Sequence, residues 1–491
     1  MGNIKSETLK GVKWGFIQKL TLKPVQMLYG MVLARLVTPT EMGILGLTAI
    51  FFAVAQSLAS AGFGAALIRR LDRTEADINT MFWFNLGMSG VLSMALFLLA
   101  PWFASYFGQP ELLWLTRVSA VMMFLSSSAG VHYTLYQCRR DFKTPAVIGM
   151  ISTLSGMPIC LVLAYFGWGV WALMVQNVTA SIVSLALIWW KSPWKPAFMF
   201  SQKSFREMFS FGSKLTAAGL LHTIYSELKS FIIGKFYSPA QLGLYVRGQG
   251  LSALVPHTIG DVLASIAYPI LSTIQNEDAR LNRVYRQYVK VTSLVILWSC
   301  VILAALAHPA VYVVYGESWV PCAVYIQILS FAYGFDHICT INLGLLKVKG
   351  KSGAILKLDI IKKSISVAIL IYASTISVEA ICWGVVVYTQ IAAFINCYYT
   401  KSLIGLSWWQ QQKDYMSYFL LALVCSLPAW LLTCAPIHPI LQLILGGCSS
   451  LLLYVAFLYI IKDGAFNLLL SHAVSRFKQR FQSRRTPAAQ E

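Results

Sequence analysis

The sequence predicts an all-α, polytopic membrane protein of about fourteen transmembrane helices. They are expected as two six-helix lobes related by a pseudo-twofold axis along the membrane normal, with two extra helices at the C-terminal end. Three observations predict this: runs without charge too long for a soluble domain, a one-sided placement of Lys and Arg, and a motif written twice.

The charge-free runs set the class. Of 491 residues, 57% are hydrophobic and 12% charged, where a soluble domain carries about a quarter charged residues. Thr144–Trp190, Val291–Gly316 and Tyr415–Ile461 contain no Asp, Glu, Lys or Arg. A bilayer-spanning helix needs roughly 20 such residues. The two longest runs therefore hold two spans each, broken at "FGWG" (Phe166–Gly169) and "APIHP" (Ala435–Pro439). Backbone satisfaction in lipid leaves only helices or closed barrels, and these runs are too long for barrel strands. In order, the spans fall near 12–36, 42–67, 79–100, 112–135, 145–166, 169–190, 212–236, 243–271, 289–309, 321–346, 354–375, 380–400, 415–434 and 439–461. No short apolar region with a small-residue cleavage site follows "MGNIKSETLKGVKWG", so the first helix is read as its own insertion signal.

The charge supplies the topology. A net charge of +20 would suggest nucleic acid in a soluble protein. Here Lys and Arg concentrate on the loops of one side and are absent from those of the other, which places both termini in the cytoplasm by the positive-inside rule. No nucleic-acid partner is expected; membrane lipids are. Of the 39 Lys plus Arg, eight are assigned to spans: Lys19, Lys23, Arg35, Arg117, Lys214, Lys229, Lys235 and Arg247. The ten cysteines lie mostly within spans, without a CxxC pair, and read as small buried hydrophobes.

The repeat supplies the lobes. "VLARLVTPTEMG" (Val32–Gly43) returns two hundred residues later as "IIGKFYSPAQLG" (Ile232–Gly243), with Arg35 on Lys235, Thr38 on Ser238, Pro39 on Pro239 and Gly43 on Gly243. "RRDFKTPAVI" (Arg139–Ile148) resembles "KVKGKSGAIL" (Lys347–Leu356) at a similar offset. Both copies run in the same orientation, as parallel repeats related by an axis along the membrane normal do. The expected domains are residues 1–200 (spans one to six), 201–405 (seven to twelve), 406–461 (the last two spans) and a basic cytoplasmic tail, 462–491. In that tail Phe466, Leu470, Val474, Phe477 and Phe481 recur at helical spacing among basic residues. Either an amphipathic helix lies on the anionic leaflet, or the tail only fixes topology.

Charges in lipid mark candidate sites. In the first helix Gly15, Lys19, Lys23, Gln26 and Gly30 share one face. Lys19 can snorkel to the interface. Lys23 lies about 17 Å along the axis, near mid-membrane, where snorkelling is difficult. Pro24 follows it and is expected to kink the helix. In the seventh, His222, Tyr225, Ser226 and Lys229 share a face; in the eighth, Arg247, Gly250, Thr258 and Asp261 do, with Pro256 between them. Glu227 points away from Lys229. Glu227 and Asp261 either pair with a first-lobe cation or bind a coupling proton or sodium ion. Arg35 and Lys235 read singly as interface anchors, and together as a ring of cations at the outer end of a shared cavity.

Other chemistry is excluded. "GKS" (Gly350–Ser352) has neither the glycine spacing nor the preceding strand of a phosphate-binding loop. Asn177-Val-Thr matches a glycosylation acceptor but lies inside a span. Seven scattered histidines show no metal spacing, so neither a metal nor a cofactor is expected. An enzyme of glycan assembly would need an outer loop rich in functional side chains, yet the outer loops carry only Glu41, Glu111, Glu317 and Glu379. A scaffold subunit of a glycan-assembly complex is the third class.

The pieces "GVKWGF", "VLARLVTPTEMG", "AGFGAALIRR", "MFWFNLG", "QCRRDFK", "SFGSKLT", "YPILSTIQNEDARL" and "YGESWV", in this order, resemble the polysaccharide-exporter branch of the multidrug/oligosaccharidyl-lipid/polysaccharide (MOP) superfamily, the Wzx-type flippases. The resemblance implies two six-helix lobes around a V-shaped cavity. It implies export of an oligosaccharide on undecaprenyl pyrophosphate from the inner to the outer leaflet of a bacterial cytoplasmic membrane, feeding polysaccharide polymerase machinery. It further implies cavity cations that meet the pyrophosphate: by position Lys19, Lys23 and Arg247. Lysine, where some relatives have arginine, offers a point charge rather than a fork. The residues themselves favour an anionic cargo, because the eight cations face only Glu227, Asp261 and Asp336 as acids. A related ion-coupled exporter of cationic amphiphiles would invert that balance.

Overall fold

In the computed structural model, which describes residues 21–59, 62–70 and 72–471, every regular element among the described residues is helical. Packing gathers the chain into two compact units, Met1–Val246 and Arg247–Glu491. The division falls inside a helix, so residues 202–246 pack with the first unit. The sequence repeat, with its join at 200/201, is a separate property of the chain.

In the first unit, α1 (21–34) is followed by α2 (Pro39–Ala59), α3 (Phe63–Arg69), α4 (Glu75–Phe107), α5 (Glu111–Ser127), α6 (Gly130–Cys138), α7 (Lys143–Tyr165), α8 (Val170–Lys191), α9 (Gln202–Phe236) and the first residues of α10 (Pro239–Thr273). The second continues α10 and adds α11 (Asp278–Ala305), α12 (Ala307–Tyr315), α13 (Cys322–Val348), α14 (Ser352–Ala373), α15 (Val378–Ile404), α16 (Trp408–Thr433) and α17 (Pro439–Ile460). Residues 464–471 are again helical, and Phe466 packs on the core of this unit. The rest of the expected tail helix lies outside the described residues.

Local chemistry sets the ends. Thr74 and Asp77 close a capping box on α4, and Ser407 and Gln410 close one on α16. Ser201 and Ser377 cap α9 and α15. Gly108 and Gly405 end α4 and α15 in the left-handed region, at φ 65° and 68°.

Among the described residues eleven helices are long and apolar enough to cross a membrane, and the chain is a multi-pass membrane protein. The expected count of about fourteen is therefore not reached by length and apolarity. A helix does cover each of the other three expected positions, as α1, α9 and α14, but α9 carries Lys214, Lys229 and Lys235, and α14 carries Lys357, Lys362 and Lys363. Two spans expected as continuous helices are also broken. At Gly62 (φ +63°) the chain turns against the backbone of Gly212; a Cβ there would lie 2.9 Å from the Gly212 Cα. Between α5 and α6 the Ser127 and Ser128 hydroxyls donate to the carbonyls of Phe124 and Leu125, each at 2.7 Å, competing with the helical ladder.

Candidate functional site

The repeated motif meets itself. Gly43, in the first turn of α2, lies so close to the carbonyl of Pro239 that a methyl group there would coincide with it. Gly243, in the first turn of α10, stands in the same relation to the carbonyl of Pro39. This reciprocity is what a local two-fold axis produces. Proline can occupy the first turn because its missing N–H has no helical acceptor there. Gly46 then faces Leu242, whose side chain a Cβ there would meet at 3.6 Å, and Gly234 receives Leu47 and Leu242. Two helix starts are locked backbone to backbone through positions only glycine can fill.

The cations of the two copies differ in setting. Arg35, in the turn after α1, is exposed. Lys235 is half-buried at the end of α9. Its Nζ donates to the Tyr106 carbonyl at 2.7 Å and lies 3.6 Å from the Tyr106 ring centroid, so its charge closes the C-terminal end of α4. Lys23 on α1 and Lys229 on α9 are half-buried, while Lys214 is exposed. Arg117 stacks over Phe97 and Trp114, at 4.9 and 5.0 Å. Lys19 and the Asp261 side chain lie outside the described residues. Tyr29 of α1 hydrogen-bonds Gln176 of α8, fastening α1 to the α7–α8 pair.

Arg247, in the second unit, is half-buried with its guanidinium carbon 5.6 Å from the ring centroids of both Tyr315 and Trp319. Its Nε has no hydrogen-bond partner among the described residues, and no carboxylate there forms an ion pair with it. Trp319 is wholly buried and Tyr315 nearly so. The arrangement is an aromatic cradle for a planar cation.

The acids divide. Glu227 lines an apolar groove of about 470 Å³ between α2, α4 and α9, with Phe51, Leu92, Phe103 and Phe231 among its walls. It makes no ion pair with a described residue. Asp336 lines a polar cavity of about 60 Å³ in the second unit with His257, Tyr333, His337, Thr292 and Thr340. His337 there bonds Ser293 at 2.8 Å and the Gly334 carbonyl at 2.5 Å. Three further cations escaped the sequence assignment. Lys357, Lys362 and Lys363 are not among the eight cations assigned to spans but sit within α14, where the buried Lys362 pairs with Asp359 at 3.3 Å.

A family model described as polysaccharide biosynthesis protein matches residues 32–324. The teichuronic acid biosynthesis protein TuaB of Bacillus subtilis (strain 168) is 23% identical over 354 residues, covering 72% of this chain and 73% of that protein. The succinoglycan biosynthesis transport protein ExoT of Rhizobium meliloti (strain 1021) is 22% identical, covering 83% and 80%. Among solved structures, the lipid II flippase MurJ in an inward closed conformation aligns at a TM-score of 0.70 and 12% identity, over 93% of this chain and 100% of that one. An inward-facing MATE-family multidrug transporter of the MOP superfamily aligns at 0.59 and 16%, over 79% and 94%. The fold is that of these transporters.

Proposed function

Because this chain belongs to the polysaccharide biosynthesis protein family, we propose that it exports an oligosaccharide carried on undecaprenyl pyrophosphate. The cargo passes from the inner to the outer leaflet of a bacterial cytoplasmic membrane, and the site faces the two sides alternately. Arg247 is the observation that carries this reading. It stands eight residues into α10, about 12 Å along the axis at 1.5 Å per residue, held by Tyr315 and Trp319 rather than neutralised by a carboxylate. A cation at that depth is costly unless it meets water or an anion, and a pyrophosphate supplies an anion whose oxygens accept the paired N–H bonds of a guanidinium. Lys23 and Lys229 add charge along α1 and α9, and Lys19 stands one helical turn before Lys23 in the sequence. Arg35 and Lys235 stand where those segments end.

The Gly43–Pro239 and Gly243–Pro39 junction supports the alternating step, since its closest contacts are backbone against backbone, with the apolar side chains of Leu47 and Leu242 beside them. Glu227 supports coupling to a proton. A carboxyl that lines an apolar groove without an ion pair is cheapest when neutral, and a change of surroundings that lets it ionise releases the proton. The names of the similar proteins, a succinoglycan biosynthesis transport protein and a lipid II flippase, agree with a saccharide-lipid cargo.

The test is export by the purified protein in vesicles, using lipid-linked oligosaccharide isolated from a strain of the source bacterium lacking this protein. Wild type should bring the labelled sugar to the far leaflet, and Arg247→Ala and Lys23→Ala should each slow this at least tenfold at equal protein amount. A scaffold or a polymerase would move none. Export that survives both substitutions would remove the cations from the mechanism.

A further inference from the structure

A second cavity, of about 580 Å³, lies wholly inside the first unit between α2, α5, α6, α7 and α8. Its described lining contains no Asp, Glu, Lys, Arg or His, yet it is not apolar: hydroxyl groups and one amide interleave with Phe52, Met122 and Met174. The volume falls within the range of roughly 300–1,000 Å³ usual for small-ligand sites. At about 30 Å³ per water it would otherwise hold on the order of twenty waters.

The polar groups offer both halves of a hydrogen bond. Thr48, Ser152 and Thr153 donate to carbonyls of their own helices at 3.2, 2.8 and 2.8 Å, which leaves their oxygens as acceptors toward the cavity. Ser119, Asn177 and Ser181 bond no described residue, and so hold donors as well. Asn177 carries the argument furthest. It stands seven residues into the apolar helix α8 and is exposed, about 10 Å from the helix start. An amide at that depth costs several kcal/mol against hydrocarbon. Here it lines the cavity instead.

We infer that this cavity binds the sugar portion of the cargo. Neutral groups that both donate and accept, set among apolar and aromatic faces, suit a polyhydroxylated ring, which shows hydroxyls at its rim and C–H groups on its faces. An anion would call for the cations this cavity lacks, and a cationic amphiphile for a carboxylate. The inference rests on the export reading, with charge and sugar recognised by different side chains: the pyrophosphate by cations, the saccharide by Asn177, Ser181 and the hydroxyls facing them.

Binding by the full-length protein in nanodiscs separates the two. The probes are bare undecaprenyl pyrophosphate, the source strain's own undecaprenyl-pyrophosphate-linked oligosaccharide, and the free oligosaccharide released from it by mild acid. Wild type should hold the sugar-bearing carrier at least tenfold more tightly than the bare one. Ser181→Phe, which projects a ring into the cavity, and Asn177→Leu, which removes its amide with the same number of side-chain heavy atoms, should each erase that difference and abolish binding of the free sugar. Affinity for the bare carrier should stay unchanged, and that affinity also reports that the variants are folded. A wild type that does not distinguish the two carriers, or a preference that survives both substitutions, overturns the inference. Bare carrier left unbound while the free sugar still binds would overturn the export reading and leave the sugar site standing.

Discussion

The two units solve the problem of polar groups in lipid in opposite ways. In the second, a group of them on α11, α13, α15 and α16 is knotted together. Tyr285 of α11 bonds Asn342 of α13; Gln411 of α16 donates to Asn342 at 3.0 Å and to Tyr285 at 3.3 Å, and accepts from Cys397 of α15 at 2.8 Å. Arg286 grips Asp414 through two bonds of 2.7 and 2.8 Å, with Lys290 at 3.4 Å from the same carboxylate. One apolar cluster surrounds these groups, running from Leu271 to Ala465. In the first unit the polar groups on α5 and α8 instead face space, and cavities of about 580 and 470 Å³ stand open. A satisfied network rigidifies, whereas unsatisfied groups around a void ask for a ligand or water. The difference assigns rigidity to the second unit and accommodation to the first.

Two amide substitutions would break that comparison most sharply. Asn342→Leu strands the Tyr285 hydroxyl and the Gln411 amide in a dry core. At about 1–3 kcal/mol for each orphaned group, the cost is roughly 2–6 kcal/mol. Thermal unfolding of the purified protein in detergent should show a large fall in Tm. Asn177→Leu orphans nothing and should leave Tm where it was. Equal losses in the two variants would mean that the first unit is knotted as well.

Particular residues show what the sequence could reveal. The spans were legible because a charge-free run of 20 residues in lipid has few alternatives, and Pro39, Pro239 and Pro439 mark where helices begin. Lys357, Lys362 and Lys363 are harder to place, because cations close to the basic stretch Lys347–Lys351 look like part of it. What allows Lys362 to be buried is Asp359 one turn earlier, a pairing visible in the spacing. The break at Ser128 also had its signal, three consecutive serines. The knot had none: Tyr285 and Gln411 lie 126 residues apart, and no periodicity announces such a contact. The candidate site was half legible. The repeat announced matching cations and glycines, but only packing shows that the two copies touch and that Arg35 and Lys235 sit in different settings. Cavities are tertiary objects, and Asn177 in sequence looked like a stray acceptor.

The junction of the repeats sharpens the comparison within the first unit. Gly43→Val places branched carbon where the Pro239 backbone lies, and backbone cannot rotate aside. The starts of α2 and α10 must then part, and vesicle export should fall at least tenfold. Gly46→Ala is the control three residues on. Its new Cβ would meet Leu242 at 3.6 Å, an ordinary contact, and export should match wild type. If Gly43→Val also exports normally, the backbone seam has no part in the cycle.

The smallest expected effect concerns Lys235, which the repeat pairs with Arg35 as a cargo cation but the packing ties to Tyr106. Lys235→Met keeps the stem and removes the bond to the Tyr106 carbonyl together with the charge over its ring. A charged hydrogen bond and a cation–π contact together contribute about 2–4 kcal/mol when fully buried, and less at this half-buried, solvent-screened site. A modest fall in Tm should follow, with export per folded molecule close to wild type, because an ammonium that closes a helix end has little left for a pyrophosphate. Arg35→Met, at an exposed site, should lower Tm less and export more. The opposite pattern, normal Tm and lost export for Lys235→Met, would make the two cations equivalent and return the first unit to the symmetric ring that the repeat alone implies.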